Sequence, residues 1–94
     1  MTDMAKVFKA LGDPTRLAIF ELVRECGRDG CTEDEAADSL SGIAERFSLS
    51  LSTVSHHVKE LRTSGLIICE KQGQRLYCRV APEVLEELGR FARA

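Results

Sequence analysis

No stretch of the sequence is apolar for long enough to span a membrane, and its first residues lack the charged-then-apolar pattern of a signal peptide. Internal repeats, low-complexity segments and linkers are also absent. With 94 residues, 44% of them hydrophobic, the chain has the size and composition of one globular domain. We therefore expect a single domain over residues 1–94 that has no membrane partner and lies in the cytoplasm. In such a reducing compartment, its four cysteines are expected to be thiols.

Catalytic signatures are missing as well. The sequence has neither a G-x-S-x-G nucleophile motif nor a glycine-rich phosphate-binding loop, so we do not expect an enzyme. It also lacks an excess of positive charge, because the net charge is −2. Residues 50–80, however, carry five cations against two carboxylates, a balance of +3 that leaves −5 for the rest of the chain. A cationic segment on an acidic body favours a localised DNA-binding face.

The centre of that cationic segment predicts a helix with two different faces. It lies between Ser50, a candidate N-cap, and Gly65, which is typical of the residue that follows a helix. Four apolar residues recur at helical spacing on one face: Leu51, Val54, Val58 and Leu61. The opposite face collects polar side chains of a size that enters a DNA major groove: Ser52, His56, Lys59 and Thr63, with Thr53 at its edge. This pattern is typical of a DNA-recognition helix, and also of an ordinary amphipathic helix with a solvated face.

Three further helices are predicted before it from apolar spacing and capping residues, over residues 4–11, about 14–26 and about 33–47. Gly42 and the serines at 39 and 41 weaken the third, which is predicted either as one helix or as two pieces. A polar break at residues 27–30 separates the second helix from the third. A short turn at residues 48–50 then joins the third helix to the recognition-type helix. Two helices joined by a tight turn form a helix-turn-helix.

Residues 66–80 predict a β-hairpin closed by a two-residue loop at 73–74, of the type II′ kind. In that register, the numbers of opposed residues add up to 147. One face is then apolar and consists of Ile67, Cys69, Leu76, Cys78 and Val80. Pro82 begins a last helix. The predicted fold is mainly α with a β-hairpin wing, a winged helix-turn-helix in the order α-α-α-α-β-β-α.

Three stretches carry a family resemblance: LGDPTRLAIFELV at 11–23, IAERFSLSLSTVSHHVKELRTSGLI at 43–67 and KQGQRLYCRV at 71–80. Together they resemble the ArsR–SmtB family of bacterial winged-helix repressors. The resemblance implies a repressor that binds double-stranded DNA containing an inverted repeat and releases it when an effector arrives. It also implies a homodimer whose interface is formed by the first and last helices, about residues 4–11 and 82–93. The apolar residues expected there are Met4, Val7, Phe8 and Leu11, together with Leu85, Leu88 and Phe91.

The chain departs from the metal sites of that family. Many members sense metals through a Cys-x-Cys pair at the start of the third helix, where this sequence has Ser39 and Ser41. A second class has Asp and His ligands on the last helix, and residues 82–94 contain no histidine. Neither metal site is carried over, so no metal is assigned.

The cysteines leave three interpretations open. Cys26 and Cys31 could supply thiolates to a soft metal or metalloid such as mercury or arsenite, or form a redox-reactive pair, or simply pack. Cys69 and Cys78 oppose each other on the apolar face of the hairpin, which favours packing as small hydrophobic residues. No cofactor is assigned beyond a soft metal or metalloid at the first pair.

The two histidines are adjacent, so a helix points them about 100° apart. His56 falls on the polar face, whereas His57 falls nearer the core and is expected to pack or to hydrogen-bond to the scaffold.

We predict that the recognition helix and the wing together bind DNA. On the recognition helix, the residues expected to contact base edges or adjacent phosphates are Ser52, Thr53, His56 and Lys59, flanked by Ser50, Ser55 and Arg62. On the wing, the residues expected to contact the DNA backbone are Lys71, Gln74 and Arg75. Two alternatives remain. One is a winged-helix module that binds another protein, which the acidic total charge supports. The other is a thiol-based metal or redox sensor whose output is DNA binding.

Overall fold

The computed structural model describes residues 3–29, 39–73 and 75–93. Within them the elements are α1 (Met4–Leu11), α2 (Pro14–Asp29), α3 (Leu40–Phe47), α4 (Leu51–Thr63), β1 (Ile67–Gln72), β2 (Arg75–Val80) and α5 (Pro82–Arg93). This order confirms the predicted mainly helical fold with a β-hairpin wing. In the part of the chain that the structure describes, no helix is both long and apolar enough to cross a bilayer.

Aspartate caps begin the first two helices. Asp3 Oδ1 accepts hydrogen bonds from the N–H groups of Ala5 and Lys6, at 3.1 and 3.3 Å. Asp13 Oδ2 accepts from the N–H of Arg16 at 2.9 Å, and Pro14 occupies the first helical position, where its missing N–H has no intrahelical partner to lose.

The end of α2 differs from the prediction. The helix continues through Gly27 to Asp29, so the predicted polar break at 27–30 is wrong for residues 27–29. One glycine costs a helix only about 1 kcal/mol relative to alanine. Four side chains buried along α2 hold it in place: Ile19, Phe20, Val23 and Cys26.

The start of α3 rules out one of the two predicted alternatives, a continuous helix over 33–47, because the helix begins at Leu40. Ser39 has an extended backbone (φ −85°, ψ 156°), and its Oγ caps the helix by accepting from the N–H of Gly42 at 3.0 Å. Ser39 is extended because it pairs with Tyr77 of β2 in an antiparallel bridge. The cap Thr32, on which the longer helix was based, lies outside the described residues.

The hairpin has the predicted register, with Ile67 opposite Val80 and Cys69 opposite Cys78. Gly73 at its tip has a φ of 63°, in the left-handed region that the first position of a tight hairpin loop requires. The predicted apolar face turns inward, since Ile67 and Cys78 are buried, whereas the outer face is largely exposed.

The core lies between the first four helices and the inner face of the hairpin. Its most deeply buried side chains include Val7, Ile19, Val23, Ile43, Val54, Leu61, Leu66 and Ile67. The last helix contributes one buried residue, Val84, while its other apolar side chains lie at or near the surface.

Candidate nucleic-acid interface

The turn between α3 and α4 sets how α4 is presented. Ser48 has left-handed backbone angles (φ 54°, ψ 42°). Its N–H donates to the carbonyl oxygen of Glu45 at 3.3 Å, and the N–H of Leu49 donates to that of Ala44 at 2.9 Å. This pair of bonds is a Schellman motif, which ends α3 and reverses the chain within three residues of the next helix.

One face of α4 anchors it to the protein. Val54, Val58 and Leu61 are at most 3% exposed and belong to the core. The helix ends where the N–H of Leu66 donates to the carbonyl oxygen of Leu61 at 3.0 Å, around Gly65 with a φ of 87°. The predicted stop at this glycine is confirmed, because a positive φ is strained for other residues.

Leu51 does not belong to this buried face, and that part of the prediction is wrong. Its side chain is 54% exposed at the first position of α4. Helical spacing gives the direction of a side chain, but not whether a neighbouring element reaches that end of the helix.

The opposite face of α4 is polar and open to solvent. The predicted contact residues on this helix are all exposed: Ser52, Thr53, Ser55, His56, Lys59 and Arg62. We call these six residues the polar face of α4. It carries two permanent cations and no carboxylate.

The N-terminus of α4 holds a small network of hydroxyl groups. Ser50 Oγ accepts from the N–H of Thr53 at 3.2 Å, which makes it the N-cap. It also lies 2.8 Å from the Thr53 hydroxyl oxygen and 3.2 Å from that of Ser52. Ser50 therefore supports the helix and orients the two hydroxyls that begin the polar face.

Glu60 is the one acidic residue of α4, and it is directed toward α2. Its Oε2 lies 3.9 Å from Arg16 Nη1, and Arg16 Nε lies 4.0 Å from Asp13 Oδ2. This chain of charges joins the start of α2 to α4 beside the polar face. Apolar periodicity does not predict these contacts of Arg16, although its position three residues after a capping aspartate is a usable signal.

The pKa of Asp13 lies below its ordinary value. The chief cause is the backbone N–H of Arg16, which donates to the carboxylate; burial acts in the opposite direction, and the positive charges of Arg16 and His57 lower the pKa further.

His57 is half-buried, whereas His56 is exposed, so the predicted difference between the two is confirmed. The ring centroids are 5.8 Å apart. His57 Nδ1 is buried and has no hydrogen-bond partner among the described residues, so the expected bond to the scaffold is not made at this atom.

The wing presents Lys71 near its tip as an exposed cation. On its outer face, Arg79 Nη2 lies 3.1 Å from Glu70 Oε1, so these two charges offset each other. Gln74 and the side chain of Arg75 lie outside the described part of the chain, and their contacts with DNA stay predictions.

The terminal helices expose an apolar surface. Phe8 and Phe91 are 42% and 64% exposed, and their rings meet edge to face at a centroid distance of 5.1 Å. Of the remaining residues predicted for the dimer interface, Met4, Leu11, Leu85 and Leu88 are partly buried against the core. The prediction that Val7 lies in the dimer interface is wrong, because its side chain is 0% exposed and packs in the core of its own chain.

This arrangement matches known proteins. The sequence model of the family described as "Helix-turn-helix domain" matches residues 11–70. The transcriptional repressor SdpR of Bacillus subtilis is 34% identical over 84 residues, which cover 89% of this chain and 82% of SdpR. An arsenical resistance operon repressor of Staphylococcus xylosus is 32% identical over 84 residues, covering 89% of this chain and 71% of that protein. A homodimeric winged helix-turn-helix DNA-binding domain from Mycobacterium bovis, described as a possible ArsR-family transcriptional regulator, is 28% identical with a TM-score of 0.73, covering 96% of this chain and 74% of that one.

This chain belongs to the ArsR–SmtB family of winged helix-turn-helix transcriptional regulators.

The two metal sites associated with the ArsR–SmtB family do not fit the residues present here. Ser39 Oγ is the cap of α3 and lies 3.4 Å from Ser41 Oγ, so two neutral hydroxyls stand where thiolates would be needed. Among residues 3–29, 39–73 and 75–93, no group of three or more His, Cys, Asp or Glu residues is placed to hold a metal ion.

The cysteines of this ArsR–SmtB chain differ in oxidation state. Cys26 is buried near the end of α2 and is disulfide-bonded, so the expectation of four thiols is wrong for it, and in this state it offers no thiolate to a metal. The expectation of thiols in a reducing compartment describes the average cysteine, and it does not determine the state of a particular pair of cysteines. Cys31 lies outside the described residues, and its role as a ligand stays a prediction. Cys69 and Cys78 are thiols.

Proposed function

We propose that this ArsR–SmtB protein is a homodimeric, sequence-specific DNA-binding repressor that places α4 in the major groove of an inverted repeat. The observation that carries the proposal is the polar face of α4, which is exposed and cationic, while the neighbouring carboxylate of Glu60 lies 3.9 Å from the guanidinium of Arg16. A helix presented in this way matches the width and the negative charge of the groove. SdpR, the relative described above, is itself a transcriptional repressor.

Within the polar face, roles follow from the length and chemistry of each side chain. His56 and Lys59 lie one turn apart, opposite the buried residues, and are assigned to base edges or the phosphates beside them. Lysine donates to the O6 and N7 atoms of guanine, and serine and threonine hydroxyls contact several bases. Arg62 and Lys71 lie toward the end of α4 and on the wing, where they are assigned to the phosphate backbone.

We assign the interface of the homodimer to the terminal helices. Phe8 and Phe91 form an exposed aromatic pair that a second copy would cover, and the Mycobacterium bovis relative is a homodimer. A two-fold axis through this surface presents two α4 helices in opposite directions, which explains an inverted repeat with half-sites about 34–36 Å apart. Such a regulator acts where the chromosome is, in keeping with the expected cytoplasmic location.

The binding of an effector then releases the DNA. A soft metal or metalloid bound by Cys26 and Cys31 would first require reduction of the disulfide that holds Cys26. Nothing in the proposal involves catalysis.

Selection of binding sites from a random duplex library, followed by anisotropy titrations at several salt concentrations, tests the proposal. We expect an enriched inverted repeat and a logarithm of affinity that falls linearly with the logarithm of salt concentration, because bound counterions are released. A variant with His56→Ala and Lys59→Ala is the matched control, since both substitutions are at exposed positions. Recovery of no sequence together with salt-independent behaviour would reject DNA binding in favour of a protein-interaction module.

A further inference from the structure

The inner face of the wing holds two thiols in direct opposition. Cys69 and Cys78 are partners in the β1–β2 register, and their Sγ atoms are 3.5 Å apart. Sulfur atoms in a disulfide are about 2.05 Å apart, so a gap of about 1.5 Å must close to join them.

The position of the pair in the ladder favours such a bond. The N–H of Ala81 donates to the carbonyl oxygen of Leu66 at 2.9 Å, just beyond the Ile67–Val80 pair. Hydrogen-bonded and non-hydrogen-bonded pairs alternate along an antiparallel ladder, which makes Cys69 and Cys78 a non-hydrogen-bonded pair. Opposed Cα atoms in such pairs are about 4.5 Å apart, at the short end of the roughly 4.4–6.8 Å found across disulfides. The bond is thus admissible but tight, and a strained disulfide is easily reduced again.

The two sulfur atoms differ in access. Cys78 is 2% exposed within the core, whereas Cys69 is half-buried at its edge. A small oxidant therefore reaches Cys69 first. Since the described residues offer no group of three or more His, Cys, Asp or Glu for a metal, two-thiol covalent chemistry fits the site better than a metal chelate.

We propose that Cys69 and Cys78 form a reversible redox site in the wing, with a hydroperoxide as the oxidant. The Cys69 thiolate attacks one peroxide oxygen, the O–O bond breaks, and Cys69 becomes a sulfenic acid with release of water or an alcohol. The Cys78 sulfur then attacks the Cys69 sulfur, the S–O bond breaks, and the hydroxide leaves with the Cys78 proton as a second water. The two thiols lose two electrons, and the peroxide gains them.

The site is coupled to DNA binding through the strand that carries Lys71, and this step rests on the proposed function. Cys78 is held in the core, so closure of the gap between sulfur atoms displaces mainly β1 around Cys69. Lys71 lies two residues further along the same face of β1, at the exposed end of the wing. The disulfide therefore moves Lys71 away from its phosphate and weakens DNA binding.

Peptide mapping of the full-length protein tests the redox site directly. After treatment with hydrogen peroxide and alkylation, trypsin cleaves at Lys71 and Arg75, which places the two cysteines in separate peptides, 63–71 and 76–79. We expect these peptides to be joined, to separate after treatment with dithiothreitol, and to be joined as well in a Cys26→Ala control. Alkylation of both thiols after exposure to peroxide, or overoxidation of Cys69 without a crosslink, would overturn the proposal.

Variants and DNA titrations test the coupling. Cys69→Ser should abolish the crosslink and make DNA affinity insensitive to peroxide, and Cys78→Ala serves as a second variant at the buried position. In the unmodified chain, oxidation should lower affinity and reduce the salt slope by about 0.9 per protomer, the change expected when one phosphate is no longer neutralised. A crosslink without a change in affinity would overturn the coupling. If the reduced protein binds no duplex at all, the proposed function fails, while the peptide map still decides the redox site.

Discussion

Neighbouring side chains on α4 have opposite surroundings, which allows a DNA role to be separated from a folding role. His56 and Lys59 are exposed, whereas Val58 is 3% exposed in the core. Replacing His56 and Lys59 together by alanine should change the free energy of unfolding by no more than about 0.5 kcal/mol per site. The binding free energy for a selected operator should weaken by roughly 1–3 kcal/mol for each side chain that hydrogen-bonds to a base. Thermal unfolding and anisotropy titrations of the same preparation measure the two effects.

Two single variants serve as controls for that experiment. Val58→Ala should lower stability by roughly 1–3 kcal/mol, because it opens a cavity in the core. His57→Ala should resemble Val58→Ala more than the double variant, since His57 is half-buried with Nδ1 out of contact with solvent. A His57→Ala protein that melts like the unmodified chain but no longer binds DNA would show that the contact face of α4 is assigned wrongly.

Ser48 adopts a conformation that suits glycine better. Its left-handed backbone (φ 54°) costs an ordinary residue about 1–2 kcal/mol, part of which glycine recovers despite its greater freedom in the unfolded chain. Ser48→Gly should therefore raise the free energy of unfolding by about 0.5–1 kcal/mol in urea denaturation, with DNA affinity unchanged. Ser48→Ala is the matched control and should give no gain. A gain for alanine equal to that for glycine would contradict the explanation from backbone strain.

At the scale of the element, helix starts were predicted well where the cap is local. Asp13 and Ser50 cap α2 and α4 as their positions in the sequence indicate. The start of α3 was missed, because Ser39 is extended through pairing with Tyr77, a residue on the distant strand β2. Local patterns contain no information about such a partner.

The cap of α2 makes a testable contribution to pH dependence. Because the pKa of Asp13 is lower in the folded state than its ordinary value of about 3.9, its stabilising effect is present above that value and is lost as the pH falls through the folded pKa. In Asp13→Asn the cap oxygen remains but does not titrate. The difference in free energy of unfolding between the unmodified chain and this variant should thus shrink between about pH 5 and pH 2, as measured by denaturant titration. A difference that stays constant or grows over that range would be inconsistent with the lowered pKa.

The wing should contribute charge to DNA binding and little sequence preference. Lys71→Ala removes an exposed cation, so it should weaken binding to all duplexes alike and lower the magnitude of the salt slope by about 0.9 per phosphate contact. Arg79→Ala is a useful comparison, because its guanidinium is already paired with Glu70. If Lys71→Ala alters the preferred sequence and leaves the salt slope as it was, Lys71 contacts bases.

At the scale of the whole molecule, the prediction concerns assembly. Phe91 is 64% exposed beside Phe8, an unusual position for two aromatic side chains in a chain of 94 residues. Phe91→Glu should convert the dimer into a monomer, because the dimer would bury the new charge in an apolar interface. Sedimentation velocity measures the change, and circular dichroism checks that the fold persists. Glu86→Ala, at an exposed position of the same helix, should remain dimeric; a dimer that survives Phe91→Glu would place the interface elsewhere.

The sequence by itself determined the order of the elements, the register of the hairpin and the polar face of α4. These features depend on local causes: caps, helical and strand periodicity, and a glycine at a tight turn. Tertiary packing alone decided that Leu51 lies exposed, that Val7 fills the core and that Arg16 of α2 pairs with Glu60 of α4. It also placed the sulfur atoms of Cys69 and Cys78 3.5 Å apart. Periodicity sets the direction of a side chain, but its burial and its partners depend on which distant elements pack beside it.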